Sequence, residues 1–136
     1  MINMPTQETI KEFIKRKQAQ FELEKSKKDT TIGMKDIGRE GRIHFIREAW
    51  TFLPASNLKE HKVFILERLR KIKFDGSLAY NKSWKTGEIE YRIGYFIVGR
   101  IGRMLGKWTW GQYCPIIPAQ DLKKLITNAE MERVLL

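Results

Sequence analysis

The sequence predicts an α+β fold: a small antiparallel sheet built on a C-terminal hairpin, covered by helices, with an N-terminal helical arm. Three observations predict it. Apolar residues recur at helical spacing through the first two thirds of the chain, and near residue 89 the period changes to two. The alternating segments 89–98 and 107–114 are joined by a loop containing three glycines. With 136 residues, 42% of them hydrophobic, the chain can build one core. We divide it into residues 1–37, a helical arm and glycine-containing linker, and residues 38–136, a single α+β domain.

Residues 6–28 are expected to form the arm, with Thr6 as N-cap. Its apolar stripe, Ile10, Phe13, Ile14 and Phe21, is thin, so the helix is expected to lie lightly on the domain or on a partner. Residues 29–41 carry glycines and no periodicity, which reads as a linker. In residues 42–53, Ile43, Ile46, Trp50 and Leu53 make a helical stripe that Pro54 ends. Asn57 and Glu60 have capping-box spacing before a third helix, in which Leu58, Ile65, Leu66, Leu69 and Ile72 share a face. Phe74-Asp75-Gly76-Ser77 reads as a turn. A last helix is expected over 119–127, with Leu122, Leu125 and Ile126 facing inward.

For the hairpin we take the register that places Tyr95 opposite Trp110 and Ile97 opposite Trp108, on a buried face. Gly94 then faces Gly111 on the other side, next to Phe96 and to Arg92 opposite Tyr113. Facing glycines leave bare backbone, a shallow platform on which a partner could lie or a helix could pack.

Charge excludes little but biases the partner. Lys and Arg number 26 against 16 for Asp and Glu, a net charge of +10. Residues 1–40 have nine basic and seven acidic residues, so most of the excess lies in 41–136. Residues 91–113 contain Arg92, Arg100, Arg103 and Lys107 and no acid, and residues 68–85 add six cations, Lys82 and Lys85 among them, against Asp75 alone. Such clusters bind phosphates through counterion release, and exposed aromatics stack on bases. The expectation is a non-catalytic nucleic-acid-binding protein, for DNA or RNA, using Arg92, Arg100, Arg103, Lys107, Lys82, Lys85 and Tyr113.

The alternative is a protein-interaction module or subunit of an assembly, docking or self-associating through the arm. A third reading, a metal-dependent nuclease, rests on Asp75 preceding Glu90-Tyr91-Arg92. Arginine stays protonated and makes a poor base there. Gly106-Lys107 lacks the remaining residues of a phosphate-binding loop: Ile101 and Trp108 stand where Gly and Ser or Thr are needed. His44 and His61 have no metal-ligand spacing around them, and Cys114, the one cysteine, has neither a disulfide partner nor an assignable base. No cofactor or metal is expected. No apolar run approaches the ~20 residues of a membrane span. The N-terminus lacks signal-peptide features, and a lone cysteine suits a reducing compartment, so a cytoplasmic location without membrane contact is expected.

Overall fold

A computed structural model describes residues 7–27, 30–35, 41–75 and 85–136. Helix α1 (Ile10–Ser26) precedes strands β1 (Ile32–Met34), β2 (Arg42–Pro54), β3 (Lys62–Asp75), β4 (Ile89–Val98) and β5 (Trp108–Trp110), and helix α2 (Ala119–Met131) closes the order. The strands form one antiparallel sheet in chain order, each paired with its sequence neighbours. The sheet curls into a half-barrel. Successive residues of β3 point to opposite faces, and each face is covered by one helix: Val63 and Ile65 pack under α1, Phe64 and Leu66 under α2.

This corrects the expected architecture. The sheet is not built on a C-terminal hairpin; its two longest strands are the segments expected to be the second and third helices. Two causes produced the helical pattern. Both faces of β2 and β3 are covered, so apolar residues occur on both sides. Bulges then break the alternation: Glu48 is the extra residue between the Arg47–Leu69 and Ala49–Arg68 pairs, and Ile72 between His44–Lys73 and Phe45–Lys71. Glu48 resets the parity of β2 and Ile72 that of β3, and with apolar residues on both faces the spacing of Ile43, Ile46, Trp50 and Leu53 imitates one side of a helix. Asn57 and Glu60 cap nothing; they lie in the β2–β3 turn, closed by the Lys62 N–H donating to the Leu58 carbonyl at 3.0 Å. Part of the expected linker, Ile32–Met34, is an edge strand. Thr6 lies outside the described residues, as do Gly76, Ser77 and Lys82.

α1 is not a loosely held arm. Phe13 and Phe21 are buried with Val63, Ile65 and Phe96, and Trp50, Phe52, Trp108 and Trp110 pack around them. Phe13 stacks on Trp108 at 4.6 Å between centroids and meets Phe96 edge-on at 5.0 Å. The Trp108 indole N–H donates to the Glu8 carbonyl at 2.9 Å, tying the sheet to the start of the helix. Thr9 is the N-cap, in a reciprocal capping box with Glu12. Two large rings two turns apart thus anchor a helix whose apolar stripe is otherwise narrow.

On the other face, Leu125, Ala129 and Val134 pack on Ala55, Phe64 and Leu66. α2 runs past Asn128, and Leu122 is exposed rather than inward; the buried row is Asp121, Leu125, Ala129. Asp121 accepts from the Ser56 N–H at 2.8 Å, which fixes the β2–β3 turn to the helix start.

The β4–β5 register differs by one residue from the expected one: Phe96 pairs with Trp110, Ile97 with Thr109 and Val98 with Trp108. A slip of one residue exchanges the two faces of a strand. Trp108 and Trp110 therefore join Phe96 beneath α1, while Tyr95 turns toward α2. The two glycines do not face each other across a bare platform. Gly94 lies under the Trp110 indole, where a Cβ would come within 2.2 Å of the ring, and Gly111 lies under Tyr95, where a Cβ would come within 2.1 Å.

Candidate nucleic-acid interface

The β2–β3 turn and the β4–β5 loop leave the same end of the sheet, joined where the Val98 N–H donates to the His61 carbonyl at 2.9 Å. The β4–β5 loop is closed by its own backbone. Gly99 N–H donates to the Lys107 carbonyl and Gly106 N–H to the Gly99 carbonyl, both at 2.9 Å. Gly102 and Gly106 take positive φ, +64° and +73°, which lets so short a segment turn back on itself. With the backbone bonded inward, residues 100–107 are all exposed.

Arg100, Arg103 and Lys107 project from this loop with no carboxylate partner among the described residues. Lys59 is exposed in the adjacent turn. Lys62, at the base of that turn, sits over the rings of Phe64 and Tyr95 at 5.1 and 4.8 Å. The sequence reading missed both lysines, because only the strand pairing brings them beside the loop. Aliphatic side chains share the loop: Ile101 is 85% exposed and Leu105 56%.

The other expected contacts do not join this end. Lys85 is exposed at the opposite end, a full length of β4 away, about 33 Å of strand. Tyr113 is exposed six residues beyond Lys107, past β5. Arg92 points beneath α1, where its Nε and Nη2 donate to the two oxygens of Glu67, both at 3.0 Å. Glu67 is completely buried, and its second partner is Arg47, at 2.8 Å. A carboxylate fully removed from water persists as an ion only when paired and hydrogen-bonded in this way. Arg47 continues to Glu24 of α1 at 3.0 Å and lies 3.8 Å from the centre of the Phe21 ring.

Beside this ion cluster, between α1, residues 30–32 and the β4–β5 edge, opens a cleft of about 330 Å³. Lys17 reaches into it. Its ammonium lies 5.2 Å from the centre of the Phe96 ring and donates to Gln20 at 3.2 Å. Burial holds its pKa below the ordinary 10.5, and the Arg16 and Arg47 charges push the same way against Glu24 and Glu8.

Asp75 and Glu90, which the nuclease reading needs together, have separate partners. Asp75 accepts from the His44 ring Nε2–H at 2.6 Å, and Glu90 pairs with Lys71 at 2.9 Å. Glu90 stands opposite Leu69, six residues from Asp75, about 20 Å along β3. Among the described residues no three His, Cys, Asp or Glu side chains are grouped to hold a metal ion, and no helix is long and apolar enough to cross a membrane. No protein-family model, curated protein or solved structure matches this chain.

Proposed function

We propose that this chain binds nucleic acid, without catalysing a reaction on it, through the cationic end of its sheet. The observation that carries the reading is the β4–β5 loop. Arg100, Arg103 and Lys107 share one exposed, backbone-closed loop that contains no acid and offers them no internal partner. Cations so placed give up only water and counterions when they meet phosphate, which is the main favourable term in non-specific nucleic-acid binding. Lys59 and Lys62 extend the same end. Arg92 is withdrawn from the interface and belongs to the buried ion cluster.

The test is a fluorescence-anisotropy titration of labelled single-stranded and duplex oligonucleotides, DNA and RNA, at low salt. Changing Arg100 and Arg103 together to Ala should weaken binding while leaving the unfolding curve unchanged. It should also flatten the plot of log K against log salt, by about 0.9 for each duplex phosphate that is no longer neutralised. Unchanged affinity rejects the assignment. The exposed Ile101 and Leu105 favour one second reading, an apolar contact with a protein partner at the same loop. Binding of that kind would scarcely respond to salt.

A further inference from the structure

We infer that the cleft beneath α1 binds a small organic monoanion with a flat apolar body, an aromatic carboxylate in chemical class. The inference is independent of the nucleic-acid reading and uses none of the loop cations.

Charge is the first argument. Three cations, Lys17, Arg47 and Arg92, meet at the cleft, and the carboxylates bonded to them among the described residues are Glu24 and Glu67. Among the described residues one positive charge is left over. It resides on Lys17, whose ammonium has an amide oxygen as its hydrogen-bond partner and no carboxylate within ion-pair distance among the described residues. A half-buried ammonium beside two guanidinium groups is unfavourable until an anion joins it. A monoanion balances the charge; a dianion would bring an excess negative charge toward buried Glu67.

Unused donors are the second argument. Arg47 spends Nε and Nη1 on Glu67 and Glu24, which leaves Nη2 without a partner among the described residues. Arg92 spends Nε and Nη2 on Glu67, and among the described residues its Nη1 approaches only the Met34 sulfur, at 4.0 Å. Guanidinium N–H groups held by a buried carboxylate are already oriented, so a ligand carboxylate gains bonds without ordering the side chains.

Shape is the third. Phe21, Phe96 and Trp110 line the same cleft, and Arg92 already stacks 4.7 Å from the Trp110 ring centre. About 330 Å³ is the lower range of small-molecule sites, room for one ring and its carboxylate.

Sodium benzoate is the probe, titrated into the full chain and followed by two-dimensional amide and indole NMR, with sodium chloride as the salt control. Sodium acetate supplies the charge without the ring, and benzyl alcohol the ring without the charge. We expect saturable shifts at the Trp110 indole N–H and the backbone amides of Lys17 and Gln20, with benzoate binding about tenfold more tightly than either control. Lys17→Met should weaken benzoate about tenfold, as loss of one charge-assisted bond does, while Lys15→Met, at an exposed position of the same helix, leaves it unchanged. Shifts that rise linearly or scatter over the surface, benzyl alcohol binding as well as benzoate, or wild-type affinity in Lys17→Met would each overturn the proposal. The comparison of probes on the wild-type chain stands whether or not a variant folds.

Discussion

Glu67 is the residue on which the α1 side of the sheet converges. It lies in the middle of β3, fully buried, and holds Arg47 of β2 and Arg92 of β4, so one carboxylate joins three adjacent strands. Through Arg47 it also reaches Glu24 and thus α1. The desolvation of such a cluster offsets much of its Coulomb energy, so its presence alone says little about stability. Removing one member is different, because the partners stay buried and uncompensated. Glu67→Gln leaves two guanidinium groups facing each other in a water-poor site, and should cost about 3–5 kcal/mol. Urea unfolding of the two proteins measures it. A loss below about 1 kcal/mol would mean that water reaches the cluster, as at an exposed ion pair.

At the scale of elements, the bulges decide both how β2 and β3 pair and how their sequence reads. Glu48, the extra residue of β2, accepts from Arg68 at 3.0 Å and from Arg70 at 2.7 and 2.9 Å. The Arg70 hydrogen bond, the largest effect, outweighs the opposing effect of burial, the next largest, and with the charges of Arg70 and Arg68 and the Arg68 hydrogen bond it holds the Glu48 carboxyl below its ordinary value of 4.5. A carboxyl with a depressed folded-state pKa adds stability above its unfolded pKa and loses it as pH falls through the folded one. Glu48→Gln should therefore be less stable than wild type at neutral pH. The two curves of unfolding free energy against pH should converge in acid, once the wild-type carboxyl protonates. Parallel curves across that range would show that the carboxylate does not pin the bulge. The same bulge explains what the sequence hid. Ile89–Val98, on an unbulged strand, alternates cleanly and is legible as β4. Ile43, Ile46, Trp50 and Leu53 are not legible as β2, because an extra residue and a helix on each face give them a spacing near 3.6. Arg100, Arg103 and Lys107 could be picked out as a loop cluster from composition alone. Lys17 and Arg47 could not, since nothing in one dimension places the middle of α1 over the middle of β2. The glycines at 94 and 111 were visible as an anomaly, but their meaning depends on register, and a slip of one residue turns two ring-covered positions into an apparent open platform.

The whole molecule is a curled sheet between two unlike helices, and that arrangement determines where recognition can occur. Both faces are covered, and the edge strands β1 and β5 are three residues each, too short to offer a long template for another chain. The ends of the sheet and the cleft at the margin of α1 remain, and the loop cations Arg100, Arg103 and Lys107 and the half-buried Lys17 lie there. The cover on the α1 side is essential for the same reason. Without residues 1–27 the sheet would expose Trp50, Phe52, Phe96, Trp108 and Trp110 on one face, an apolar area that monomeric proteins rarely leave in water. It would also lose the burial of Phe13 and Phe21, each about 1.5–3 kcal/mol, together with the Arg47–Glu24 tie. A chain beginning at residue 28 should bind the dye ANS, self-associate in size-exclusion chromatography and unfold without a cooperative transition. A monomer with a sharp, unshifted thermal transition would mean that the sheet folds on α2 alone and that α1 docks as an accessory. Supplying residues 1–27 as a separate peptide distinguishes the two outcomes further. If the helix is structural cover, the peptide should restore the elution volume of the full chain and quench ANS fluorescence together, because the same aromatic face accounts for both.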